Sequence, residues 1–166
     1  EVVERTAKNI FIPLTVGGGL RNITDISNAL RSGADKVSIN TALFEDLNFL
    51  KKSTKIFGSS TISCSVEIIK NENNEYYAYT DNGRNFTGKE ALDWIKFLQD
   101  EGAGEINVTF VNSEGTGKGV DVDFVNKLEK ILSIPLLIHG GFGNIRQIFD
   151  FLVLTSSSSI VLASTL

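Results

Sequence analysis

The 166-residue chain has little sulfur: one cysteine and no methionine. A lone thiol, Cys64, excludes any internal disulfide and fits a reducing, cytoplasmic setting. Long apolar runs are missing, so no spanning helix and no membrane partner is expected. No basic, apolar leader opens the chain, so no signal peptide is read. Positive charge is outnumbered: the net charge of −4 gives nothing to attract nucleic acid or an anionic membrane. One histidine, His139, and one cysteine make no metal-ligand set, and neither a metal nor a cofactor is expected. The first residues, Glu1-Val2-Val3-Glu4-Arg5, lack Met and read as mid-helix, with Val2, Val3 and Ala7 on one face. The chain is therefore expected to be a piece of a longer protein.

Glycine, by contrast, is plentiful, and its placement is informative. Ile12-Pro13-Leu14, Gly18-Gly19 and Asn22-Ile23 recur in the second half as Ile134-Pro135-Leu136, Gly140-Gly141 and Asn144-Ile145. Each copy reads as a buried strand, a Gly-Gly turn and a helix opened by Asn. Each helix leads to a further apolar strand, ending in Asn40-Thr41 or Ala163-Ser164. Glycines let backbone N–H groups approach an anion, and a helix N-terminus favours negative charge. Two such sites predict a ligand with a phosphate at each end.

Between and around the copies, apolar strands alternate with amphipathic helices, the pattern of an α/β fold with a parallel sheet. Strands are predicted near 12–17, 36–40, 61–67, 105–111, 135–139 and 160–164. Helices are predicted over 1–9, 23–32, 45–56, 88–101, 121–132 and 145–153. Thr87-Gly88-Lys89-Glu90 has the form of a capping box for the fourth helix, and Asp121 can cap the fifth. Residues 71–88 break the rhythm: Tyr76-Tyr77-Ala78-Tyr79-Thr80 followed by Asp81-Asn82-Gly83 predicts an inserted β-hairpin.

Six βα units with a half-chain repeat favour a partial (β/α)₈ TIM barrel, strands three to eight, over an open flavodoxin-like sheet. On this reading residues 1–166 form a single barrel domain truncated at both ends: two strands precede residue 1 and one helix follows Leu166. Strands 12–17 and 160–164 would then flank a gap with unpaired edges.

The strands have two chemically distinct faces. Ile62, Cys64 and Val66 alternate with Thr61, Ser63, Ser65 and Glu67; Ile106, Val108 and Phe110 with Glu105, Asn107 and Thr109; Val37 and Ile39 with Lys36, Ser38 and Asn40. The apolar face should meet the helices, leaving the polar face to line the barrel. Barrel interiors are usually filled with branched apolar residues, so this lining predicts a hydrated interior or a passage. A satisfied ion pair of Lys36 with Glu105 explains the charges without one.

Several strings in order now resemble one family. Pro13-Leu14-Thr15-Val16-Gly17-Gly18-Gly19, Gly33-Ala34-Asp35-Lys36-Val37-Ser38-Ile39-Asn40-Thr41 and Gly102-Ala103-Gly104-Glu105-Ile106 are similar to the cyclase subunit of imidazole glycerol phosphate synthase. Gly115-Thr116 and Gly140-Gly141 fit the same pattern. The sister isomerase of histidine biosynthesis shares the two half-barrels, but the string from Asp35 to Thr41 is closer to the cyclase.

The resemblance implies that ammonia from a glutaminase subunit, bound as a heterodimer, travels through the barrel. It attacks phosphoribulosyl-formimino-aminoimidazole carboxamide ribotide and yields imidazole glycerol phosphate and aminoimidazole carboxamide ribotide. It implies Lys36 and Glu105 as an ammonia gate and Asp35 at the glutaminase interface. It implies phosphate contacts from Gly18, Gly19, Asn40 and Thr41 on one side, and from Gly115, Gly140, Gly141, Ala163 and Ser164 on the other. Thr109, Asn112, Glu114 and His139 are further expected substrate contacts.

Departures from the family pattern are equally specific. The family uses two aspartates as acid and base; one belongs to the first strand, outside this chain, and the other is replaced by Glu67. Glu67 is the expected catalytic carboxylate, its reach longer by one CH₂, about 1.5 Å. A misplacement of about 1 Å can cost about 10²-fold in rate. The family's Asp-Arg-Asp-Gly-Thr loop is here Asn112-Ser113-Glu114-Gly115-Thr116, so Asn112 hydrogen-bonds but takes no proton. His139 stands where a small residue is usual. These changes keep two alternatives open: a paralogue channelling ammonia to a nucleotide-sugar amidotransferase, and a non-catalytic phosphate-binding domain. The chain on its own is expected to be inactive.

Overall fold

The computed structural model describes residues 2–156 and 159–163. Six parallel strands form one sheet: β1 (Thr15–Gly17), β2 (Lys36–Ile39), β3 (Ile62–Lys70), β6 (Glu105–Phe110), β7 (Leu136–His139) and β8 (Ile160–Val161), in that spatial order. β4 (Tyr76–Thr80) and β5 (Asn85–Glu90) hang from β3 as an antiparallel extension. Among the described residues β1 and β8 each pair on one side only. This is a curled α/β half-barrel.

The alternation of the strands decides how the sheet packs. Val37, Ile39, Ile62, Cys64, Val66, Ile68, Ile106, Val108 and Ile138 are at most 2% exposed and face the helices. Three helices turn apolar stripes toward them. α2 (Ile23–Arg31) buries Ile26 and Ala29; α5 (Ala91–Asp100) buries Trp94, Ile95 and Leu98; α6 (Val122–Ile131) buries Phe124, Val125 and Leu128. α7 (Ile145–Leu154) buries only Phe151 and leaves Phe149, Leu152, Val153 and Leu154 exposed. No helix among the described residues is long and apolar enough to cross a membrane.

Several predicted elements need correction. The first strand does not begin at Ile12, which is 72% exposed; β1 spans three residues and has no second neighbour among the described residues. The helix predicted over 45–56 is two: α3 (Thr41–Glu45) and α4 (Asn48–Phe57). Between them Asp46 turns its carboxylate onto the Asn48 N–H, 2.9 Å, which starts α4 afresh. The capping box at Thr87 is also wrong. Residues Asn85–Glu90 pair with β4 as strand, the Thr87 hydroxyl donates to the Ala78 carbonyl, and Glu90 caps α5 through the Asp93 N–H.

Other expectations match. Asp121 caps α6 through the Phe124 N–H, and Asn22 and Asn144 cap α2 and α7. Asn22 and Asp25 form a reciprocal capping box. The hairpin is present, and it lengthens β3 to Lys70 because β4 pairs with residues 67–70. A short helix, α1 (Val2–Ala7), precedes the sheet without burying a side chain.

Candidate functional site

Register sets the polar face in rows. Ser38 is level with Ser63 and Glu105; Glu67 is level with Thr109 and His139. Lys36 and Glu105 are the first residues of their strands, and Glu67 and His139 lie toward the C-terminal ends. The face thus carries an ion pair at one end and a carboxylate, a hydroxyl and an imidazole toward the other.

The Lys36 ammonium pairs with the Glu105 carboxylate across intervening β3, over the buried Ser63. Two strand spacings on a flat sheet would be about 10 Å. The contact therefore uses both the curl of the sheet and the long lysine stem. Above it, the Asn107 side-chain oxygen is buried without a hydrogen-bond partner. Thr109 Oγ1 lies 3.4 Å from His139 Nδ1, donor and acceptor depending on the tautomer.

Glu67 is held at both oxygens. Oε1 accepts from Asn40 Nδ2 at 3.1 Å, and Oε2 accepts from the Gly83 N–H at 2.8 Å. It faces a cleft of about 630 Å³ walled by Gly17–Gly19, Asn40–Ala42 and the hairpin residues Asp81, Asn82 and Asn85. Asn40 precedes α3 but does not cap it: its Nδ2 donates to Glu67, and its Oδ1 is buried and unpartnered.

A second cleft of about 230 Å³ lies at the other Gly-Gly turn, lined by Glu114, Gly115, His139, Gly140, Gly141 and Ala163 among others. The loop after β6 closes against this turn: the Gly119 N–H donates to the Gly141 carbonyl at 2.7 Å, and Gln147 Nε2 to the Gly117 carbonyl at 2.8 Å. The sequence repeat is thus a spatial pair of clefts, one at each end of the sheet.

The other expected residues scatter more. Asn112 is exposed and its Oδ1 accepts the Lys70 N–H at 3.1 Å. Asp35 lies at the opposite end from Glu67, where its carboxylate accepts the Leu14 N–H at 2.8 Å and borders a hollow with Phe11 and Ile12. Ser164 lies outside the described residues. The sequence reading missed Asp81, Asn82, Gly83 and Asn85 as site residues. Asp81-Asn82-Gly83 signalled a turn, and the β3–β4 pairing is what carries it beside Glu67.

With this geometry in place, comparison with known proteins is decisive. The family model described as "Histidine biosynthesis protein" matches residues 1–166. The chain belongs to the histidine biosynthesis protein family. Within that family it is 41% identical over 147 residues to the imidazole glycerol phosphate synthase subunit HisF of Legionella pneumophila, covering 89% of this chain and 69% of the relative. It is 39% identical to the subunit of the same name from Leptospira biflexa, over 98% of this chain and 64% of that one. For the Clostridium botulinum subunit the identity is 35%, over 99% and 65%. The chain spans about two thirds of the length of these relatives. The cyclase resemblance read from the motifs is thereby borne out at the level of family.

Proposed function

We propose that this chain is the larger part of a cyclase subunit of imidazole glycerol phosphate synthase. It uses ammonia from a glutaminase partner to convert phosphoribulosyl-formimino-aminoimidazole carboxamide ribotide to imidazole glycerol phosphate and aminoimidazole carboxamide ribotide. Residues 1–166 belong to one barrel domain whose other elements lie outside this sequence. One observation carries the reading: a polar face running from a Lys36–Glu105 pair to a carboxylate flanked by two glycine clefts.

The two clefts suit the two phosphates of the ribotide. Gly18, Gly19, Asn40 and Thr41 serve one; Gly115, Gly140, Gly141, Ala163 and Ser164 serve the other. Backbone N–H groups at such turns bind phosphate oxygens without a dedicated cation. Asn40 acts there through its backbone, since its side chain holds Glu67. Thr109, Glu114 and His139 reach the middle of the ligand, and Asn112 shapes the loop.

Ammonia enters between Lys36 and Glu105 and moves past Ser63, Ser65 and Asn107, whose oxygens accept its N–H bonds. Asp35 and the apolar hollow beside it form the glutaminase-facing end. At the reacting centre Glu67 removes the proton that the attacking nitrogen must lose. The acid that balances it lies outside these residues.

The relatives named above support this reading over the sugar-amidating paralogue. The test is ammonium-driven cyclisation by the full-length protein, followed by loss of ribotide absorbance. Turnover that Glu67→Gln abolishes is the expected result. A folded protein that binds ribotide and never turns it over would return the chain to the binding or paralogue readings.

A further inference from the structure

Glu67 is one CH₂ longer than the aspartate the family pattern calls for, and the structure contains a device that fits this length. The β3–β4 register places Tyr79 opposite Glu67, so the turn after β4 folds back over the carboxylate. That turn is contorted. Asp81, Asn82 and Gly83 have φ of 55°, 56° and 78°, all in the left-handed region. The contortion points the Gly83 N–H at Glu67 Oε2, 2.8 Å away. No side chain fits at Gly83, where a Cβ would lie 2.7 Å from Val111 Cγ1 and 3.0 Å from Ile69 Cδ1. On the other oxygen, Asn40 completes the grip at 3.1 Å. Asp81, Asn82 and Asn85 line the same cleft as Glu67.

We propose that the inserted hairpin is a working wall of the cleft, and that Gly83 is a positioning residue matched to the length of Glu67. This rests on the reading of Glu67 as the reacting carboxylate. A carboxylate oxygen has two acceptor sites, so each oxygen of Glu67 keeps one for a substrate proton while the other is held. An aspartate at this position would withdraw its oxygens by about 1.5 Å and leave the Gly83 N–H beyond hydrogen-bond range. The hairpin thus turns a longer side chain into a fixed one.

The inference makes a counter-intuitive prediction: restoring the family's own residue harms this protein. In the full-length protein with its glutaminase partner, Glu67→Asp lowers kcat by about tenfold or more, on the scale of an ångström-sized misplacement, while KM stays within about twofold. Gly83→Ala lowers kcat similarly. The double variant is no worse than Gly83→Ala alone, because both single changes remove one contact. A merely structural role for Gly83 would give additive losses.

Should Gly83→Ala fail to fold, the Gly83 amide reports directly. Its proton resonance shifts, and its hydrogen exchange speeds up, in Glu67→Asp relative to wild type. A Glu67→Asp enzyme as fast as wild type, or a Gly83 amide indifferent to residue 67, overturns the proposal. A protein with no cyclisation whose Gly83 amide still responds retains the hairpin contact and loses only the functional reading.

Discussion

The two Gly-Gly turns look alike in sequence and are built differently. At the first, a Cβ on Gly18 or Gly19 would meet nothing within 4 Å. At the second, a Cβ on Gly140 would lie 2.8 Å from the Phe110 carbonyl oxygen, and one on Gly141 only 2.3 Å from that of Gly119. All four residues have positive φ. The first pair therefore needs glycine for backbone conformation alone, and the second for conformation and for space. The cause is the end of β6 and the loop after it, which bonds to the second turn; among the described residues β1 has no neighbour beyond β2 to do the same. Repeated motifs preserve backbone conformation, while what surrounds each copy sets how tolerant it is.

The contrast breaks most visibly under paired substitution. Gly141→Ala adds a backbone clash to left-handed strain and should destabilise by about 3 kcal/mol or more. Gly19→Ala carries the strain alone, about 1–2 kcal/mol. Urea titration of both variants measures the gap. Equal losses would mean the loop after β6 yields freely and the second turn is no more constrained than the first.

Next in size is the clasp between the two halves. Lys36 belongs to the first half of the sheet and Glu105 to the second, with side chains 35% and 11% exposed. Glu105→Gln leaves a half-buried ammonium unpaired. The cost should fall between the roughly 1 kcal/mol of an exposed pair and the roughly 3 kcal/mol of a buried one. Replacing both by Met and Gln together should recover part of it, and a double-mutant cycle in urea reads the coupling. Strict additivity would show that the pair does not join the halves.

Much of this arrangement is legible in the sequence. Period-two alternation identified the strands and which face is polar, so Lys36, Glu105 and Glu67 fell on one surface by counting. Local chemistry gave the caps at Asn22, Asp121 and Asn144. It failed where a distant partner outbid a local motif. Thr87 through Glu90 spells a helix start, yet β4 offered a ladder and took those residues as strand. The site failed in the same way: Asp81-Asn82-Gly83 announces a turn, but nothing local says that its N–H lands on Glu67. Residue types fix a turn's shape; only strand pairing fixes its destination.

The smallest effect tests the loop that tightens the second cleft, at its far end. Burial pushes the Asp121 carboxyl up, but hydrogen bonds from Lys70 Nζ at 2.9 Å, the Phe124 N–H and the Tyr76 hydroxyl outweigh it and hold it below its ordinary 3.8. Burial, with the neighbouring Asp121 carboxylate, raises Tyr76, so that hydroxyl stays a donor throughout the neutral range. A carboxylate lowered on folding contributes stability that is complete above its unfolded value and is lost as pH falls through the folded one. Wild type should therefore lose stability on acidification below about pH 3.8 more steeply than Asp121→Asn. The difference should be about 1 kcal/mol or less, because Lys70 and Asp121 remain partly solvated. Parallel acid titrations in moderate urea would show it. Superimposable curves would mean that Asp121 holds the start of α6 by its cap geometry alone, with no share for its charge.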